Sequence, residues 1–301
     1  AALTWGTLSI AGVFGPDRVI DYGSLAAVLQ LVSQVQTPFA ALSGLVPQYY
    51  AMIASAERLM EIDSIPKEQG ALSSPPREFR GVKVDSVSFS YDKEGGRLPV
   101  LEGASFEFSE GEAVAIAGIS GIGKSTLLKL ILGVYPPESG SITVMTERGA
   151  MPASAATRGL FAYVPQGNLL LSGTVRENIA FFDPEASEER ILRAARIACA
   201  EEFIRELPQG LDTPIGEHGL GLSEGQAQRI AVSRAILRGA PALLLDEATS
   251  ALDADTERRL LENLRENGLE TVLIVTHREA ALSVCDKLIK IENGKIEGVH
   301  K

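Results

Sequence analysis

One octapeptide, Gly118-Ile119-Ser120-Gly121-Ile122-Gly123-Lys124-Ser125, dictates more of this fold than any other segment. It matches G-x-x-x-x-G-K-[ST], in which glycines let successive backbone N–H groups curl around phosphate oxygens and the helix that follows adds its positive end. Such a loop needs a buried strand before it and a helix after it. Both are present: Glu112–Ala117 (EAVAIA) is strand-like, and Thr126–Leu132 is helix-compatible. The chain is therefore committed to an α/β sheet. Gly118, Ser120, Gly121, Gly123, Lys124, Ser125 and Thr126 are the candidate phosphate-binding residues, with Lys124 placed for the β- and γ-phosphates and Ser125 for Mg²⁺.

Other short apolar runs supply the rest of the sheet. Gly159–Val164 (GLFAYV), Ala242–Leu245 (ALLL) and Thr271–Thr276 (TVLIVT) read as buried parallel strands followed by helical segments. Glu185–Leu207 reads as one amphipathic helix within a helical insertion. The run Leu243-Leu244-Leu245-Asp246-Glu247 ends in two carboxylates beside the expected phosphate site. Asp246 is expected to reach Mg²⁺, and Glu247 to polarise an attacking water.

The first part of the chain has a different character. No charge occurs between Asp21 and Glu57, and Leu25–Val46 is long enough to cross ~30 Å of hydrocarbon. Gln30, Ser33, Gln34, Gln36 and Thr37 interrupt it, and they are expected to face other helices or a watery pathway rather than lipid. Ala1–Phe14 reads as the tail of another apolar helix, joined through a turn at Gly15-Pro16-Asp17-Arg18. The start inside an apolar run, without Met, reads as a piece of a longer membrane protein. A continuous helix from Leu25 to Ile62, kinked at Pro38 and Pro47, is expected to outrun the bilayer, and Asp63–Glu78, rich in Pro, Ser and charge, reads as a linker. The expected division is thus 1–62, 63–78 and 79–301. With 28 Lys+Arg against 39 Asp+Glu the net charge is −11, which excludes nucleic-acid binding by bulk charge. Two cysteines, Cys199 and Cys285, cannot form a disulfide framework or a Cys-rich zinc site.

Phe79–Lys301 resembles the nucleotide-binding cassette of ATP-binding cassette (ABC) transporters. Leu222-Ser223-Glu224-Gly225-Gln226 is similar to the L-S-G-G-Q signature, Gln166 in Val164-Pro165-Gln166 to the Q-loop glutamine, and Ser250-Ala251-Leu252-Asp253 to the D-loop. His277 follows its strand as the switch histidine does, and Tyr91 in Ser88-Phe89-Ser90-Tyr91 is similar to the aromatic A-loop residue. The resemblance implies a RecA-like P-loop NTPase core with an antiparallel β subdomain and a helical subdomain, preceded by transmembrane helices. It implies ATP and Mg²⁺ as ligands, with Tyr91 stacking on adenine. Ser125, Gln166 and Asp246 would attend the metal, and Glu247, His277, Lys124 and Gln166 the hydrolysis.

Ser223, Gly225, Gln226 and Asp253 would complete the site of a second, head-to-tail cassette, identical or different. Glu224 and Ala227 depart from the signature pattern, and Ile122 stands where the P-loop often has a small residue. The fused helices, together with Thr174–Ile179 and Ile215-Gly216-Glu217, resemble the exporter branch. That branch implies a multi-pass protein of the cell membrane in contact with lipid, its ATPase domain in the cytoplasm, exporting a substrate this sequence does not name. A membrane-anchored cassette ATPase that works mechanically, without transport, is the alternative.

Overall fold

The computed structural model describes residues 22–64, 75–93, 96–167, 170–216 and 221–300. The helix expected over Ala1–Phe14, the turn at Gly15–Arg18, most of the expected linker, and Glu217 lie outside the described residues. The chain divides into two compact units, Ala1–Lys67 and Glu68–Lys301.

The described part of the first unit is one helix, α1 (Tyr22–Ser64), of 43 residues, roughly 65 Å long at ~1.5 Å per residue. It runs unbroken through Pro38 and Pro47. Its hydroxyls turn back onto their own helix: Ser33 Oγ donates to Gln30 O at 2.9 Å and Thr37 Oγ1 to Ser33 O at 2.7 Å. Among the described residues no helix is long and apolar enough to cross a membrane. The helix expected over Leu25–Val46 is present, but its glutamines and hydroxyls dilute the mean hydropathy below that of a membrane-crossing segment.

The second unit is built on two sheets. Four antiparallel strands, β1 (Phe79–Lys93), β2 (Gly96–Ser109), β4 (Ser139–Thr146) and β5 (Gly149–Pro152), pair in the order β2-β1-β4-β5. The larger sheet runs β12-β11-β3-β10-β9-β6. Its strands are β3 (Ala113–Ala117), β6 (Phe161–Val164), β9 (Ala242–Asp246), β10 (Val272–Val275), β11 (Lys287–Glu292) and β12 (Lys295–His300). Strands β6, β9, β10, β3 and β11 are parallel, β12 is antiparallel to β11, and the short β7 (Gly173–Thr174) and β8 (Pro214–Ile215) pair with each other apart from both sheets.

The reason these strands read as unbroken apolar runs is that both faces are covered. Along β9, Leu243 and Leu245 enter one core while Ala242 and Leu244 enter the other, and β10 divides Val272 and Ile274 from Leu273 and Val275 in the same way. One core lies on the side of the small sheet, with Phe79 in ring contact with both Phe108 and Phe161. The other takes in α4 (Glu188–Ile197), α5 (Glu201–Glu206), α6 (Glu224–Arg238) and α7 (Ala254–Glu266).

The single amphipathic helix expected over Glu185–Leu207 is two helices. Cys199 adopts φ 56°, left-handed backbone that ends α4 before α5 begins. A capping box at Thr174 starts the short α3 (Val175–Ile179). Burial raises both thiols, that of Cys285 to about 12. Timed alkylation at pH 8 is therefore expected to modify Cys285 on the order of 100-fold more slowly than a free thiol, until denaturant is added.

Candidate functional site

The glycine-rich loop leaves β3 and enters α2 (Lys124–Ile131). Gly123, at φ 113°, precedes α2 without a side-chain cap, so the first-turn N–H groups point out of the helix as an anion-binding nest. Gly118 is required sterically. A Cβ there would lie 2.5 Å from the carbonyl oxygen of Ile291, on the end of β11. Gly118→Ala is expected to destabilise the fold by about 2 kcal/mol or more, read as a lower denaturant midpoint. Ile122 turns away from the loop surface and packs on the core beside the small sheet, so its bulk is accommodated.

Lys124 is buried at 4% exposure. Its Nζ donates to Gly118 O at 2.7 Å and Ile119 O at 3.0 Å and lies 3.8 Å from Glu247 Oε1. Burial lowers its pKa, opposed by the nearby Glu247 and Asp246 carboxylates. Parallel pairing of β9 with β10 and β6 brings the C-terminal ends of these strands together, which is where Asp246, His277 and Gln166 leave the sheet.

Asp246 is 1% exposed, and burial raises its pKa. It accepts from Ser125 Oγ at 2.9 Å and from Tyr163 Oη at 3.0 Å. Glu247, in left-handed backbone at φ 52°, points its carboxylate among three candidates. Gln166 Nε2 donates to its Oε2 at 2.8 Å, and its Oε1 lies 3.8 Å from both Lys124 Nζ and His277 Nε2. Ser125, Asp246, Tyr163 and Gln166 line a cavity of about 600 Å³ together with, among others, Phe181 and Phe182.

Tyr91 is half-buried, edge-on to Phe89 and Tyr135, and its Oη lies 3.2 Å from Thr126 Oγ1. This ties the ring to the first turn of α2. The signature residues are at the start of α6. Ser223 Oγ accepts from Gln226 N at 3.2 Å, and Gln226 Oε1 accepts from Ser223 N at 2.9 Å, a reciprocal capping box. Glu224, the acidic departure, is exposed in the first helical turn, where a negative charge complements the helix dipole.

Gly225 packs against the D-loop: a Cβ there would stand 3.0 Å from Ala251 O. Gln228, on the next turn, donates to Ser250 Oγ and accepts from Ala251 N, both at 3.0 Å. Asp253 caps α7, accepting from Thr256 N at 2.8 Å, and its pKa is lowered chiefly by the Thr256 side chain.

Lys124, Ser125, Gln166, Asp246, Glu247 and His277 are thus brought together by direct contacts, and Tyr91 is joined to the loop through Thr126. Ser223, Gly225, Gln226 and Asp253 form a separate group around the signature helix and D-loop, without a direct contact to the glycine-rich loop among the described residues. Sequence reasoning missed Tyr163 and Glu257. Tyr163 lies three residues before Gln166 on β6, in a position read only as a buried strand residue.

The family profile described as ABC transporter matches residues 101–250. The ATP-dependent lipid A-core flippase of Shewanella sp. (strain MR-4) is 37% identical over 287 residues, which are 93% of this chain and 47% of that protein. Leukotoxin translocation ATP-binding protein LktB of Mannheimia haemolytica is 36% identical over 288 residues, 93% of this chain and 40% of its own length. The chain therefore spans about half the length, or less, of the curated relatives it matches. A structure of a bacterial Atm1-family ABC exporter with ATP bound superposes with a TM-score of 0.75 at 31% identity, covering 100% of this chain and 53% of that one. With the glycine-rich loop, the paired acids and the signature helix on one cassette, and with relatives of this kind, the chain belongs to the ABC transporter family.

Proposed function

We propose that this chain is the ATP-hydrolysing portion of an ABC exporter. The observation that carries the reading is the convergence of Gln166, Lys124 and His277 on the Glu247 carboxylate, beside the Ser125–Asp246 pair. ATP is the substrate. Lys124 and the first-turn N–H groups of α2 hold its phosphates. Glu247 accepts the proton of the attacking water, whose oxygen bonds to the γ-phosphorus as ADP leaves, while Gln166 and His277 orient the reacting groups. Tyr91 offers a ring edge or face to the base.

The donor set suits Mg²⁺. Among the described residues no group of three or more Asp, Glu, His or Cys side chains is arranged to hold a metal alone. A hydroxyl and one carboxylate are what an ion needs when phosphate and water provide its remaining oxygens. Ser125 and Asp246 would hold it, with Gln166 beside them, and Tyr163 would steady Asp246. The ion would supply charge neutralisation at the phosphates.

Ser223, Gly225, Gln226 and Asp253 are assigned to the nucleotide of a second cassette, from an identical or a different chain. Their separation from the Lys124 cluster and their grouping around the start of α6 and the adjoining D-loop support this. The likeness to the exporter structure extends over the whole of this chain and supports placing α1 within a membrane domain. There its Gln and Ser side chains would meet other helices or a substrate pathway, which fits a hydropathy too low to cross lipid alone.

The second reading is a membrane-anchored cassette ATPase that uses dimerisation mechanically without transport, with α1 serving only as its anchor. The complete reading frame separates the two. Further membrane helices upstream are the expected result, and a soluble domain in their place would refute export. Reconstitution in vesicles, with ATP-dependent transport scored against candidate lipids and peptides, then tests the activity itself.

A further inference from the structure

Glu257 is the one buried carboxylate among the described residues that the mechanism above does not use. It is 0% exposed on α7, four residues after Asp253. Its Oε1 accepts from Thr249 Oγ1 at 2.6 Å and from Thr276 Oγ1 at 3.4 Å. Its Oε2 has no hydrogen-bond partner, and the nearest cation is Arg278, at 3.9 Å. Thr249 lies two residues after Glu247, and Thr276 immediately precedes His277. One oxygen therefore ties together the exits of β9 and β10, the strands that deliver the general base and the histidine.

Arg278 extends the connection. Its guanidinium donates to Leu252 O and, at 2.6 Å, to Ser250 O in the D-loop, while its backbone N–H donates to Thr276 Oγ1 at 3.2 Å. Glu247, Thr249, Thr276, His277 and Arg278 enclose a small cavity of about 90 Å³.

A buried carboxylate with one oxygen unpaired costs stability, and a neutral side chain of similar size would serve packing better. Its placement is explained by what it holds. We propose that Glu257 is a positioning residue for hydrolysis. By fixing Thr249 and Thr276 to one oxygen, and the D-loop to the same cluster through Arg278, it sets the spacing between Glu247 and His277 and makes that spacing responsive to the D-loop. The proposal rests on the ATPase reading.

Glu257→Gln keeps an acceptor for both threonines but removes the charge facing Arg278. In the complete protein it is expected to lower kcat roughly tenfold or more, because small misplacements of catalytic groups are costly. KM for ATP, and the affinity for a non-hydrolysable ATP analogue, should stay within about twofold, and Tm should be unchanged or higher. A purely structural role would instead lower kcat, analogue affinity and Tm together, and that result would overturn the proposal, as would a kcat within about twofold of the unsubstituted protein. Should Glu257→Gln fail to fold, Thr249→Val, which removes the hydroxyl that donates to Glu257 from the exit of β9, carries the same test with the same outcomes. If the unsubstituted protein hydrolyses no ATP, the ATPase reading fails. If it does and Glu257→Gln matches it, only this proposal fails.

Discussion

Glu247→Gln is expected to abolish turnover while leaving ATP bound. The amide is nearly isosteric and can still meet Gln166, which donates to the present carboxylate at 2.8 Å. It cannot accept the proton of the attacking water. General-base removal costs roughly 10²- to 10⁴-fold, so steady-state phosphate release should fall to background. The left-handed backbone at residue 247 is as accessible to Gln as to Glu, so the fold should survive. ATP affinity, followed by a fluorescent analogue, should change by less than about threefold, since only the reacting step loses an interaction. Phosphate release within about tenfold of the original would remove Glu247 from the mechanism.

Lys124→Ala should fail one step earlier, at binding. The ammonium is the buried cation aimed into the glycine-rich loop, and a charge-assisted hydrogen bond is worth about 1.5–3 kcal/mol. Nucleotide affinity should therefore drop by roughly 10- to 100-fold, visible by equilibrium titration. The fold should tolerate the change. Burial lowers the lysine's pKa, so the charged form is held less favourably in the folded chain than in the unfolded one, and its removal relieves that penalty. A Tm loss of less than about 4 °C is the expected companion result. Unchanged affinity would overturn the assignment of the loop. The two substitutions thus separate binding from hydrolysis.

Much of the cassette could be read from the chain because its chemistry depends on residue types at fixed offsets. The loop of Gly118–Ser125 and the acids Asp246 and Glu247 stand at strand ends that the structure confirms within about two residues. What escaped has physical reasons. The division of the Glu185–Leu207 helix depends on one φ angle at Cys199, a residue type with no turn preference. The pairing of β1 with β4 joins residues far apart in the chain, which local periodicity does not register.

Glu257 carried a signal that went unread. It stands three, four and seven positions before Leu260, Leu261 and Leu264, on the buried stripe of α7. An acid on an apolar stripe is a candidate for a buried role, whereas Asp255, off the stripe, is exposed. In α1 the apolar composition was evident, but five polar residues within Gln30–Thr37 outweighed it in hydropathy.

The capping box at the start of α6 makes one serine answer to two masters. Ser223 Oγ lends a lone pair to the N–H of Gln226, and that acceptance leaves the hydroxyl hydrogen uncommitted. The atom that begins the helix is therefore still able to donate outward, the polarity that a phosphate oxygen requires. A substitution at this position removes both at once, so loss of activity in Ser223→Ala cannot be attributed to ligand contact alone. Helix-end fraying, followed by amide exchange at Gln226 and Ala227, would apportion the loss between a weakened helix start and a missing proton.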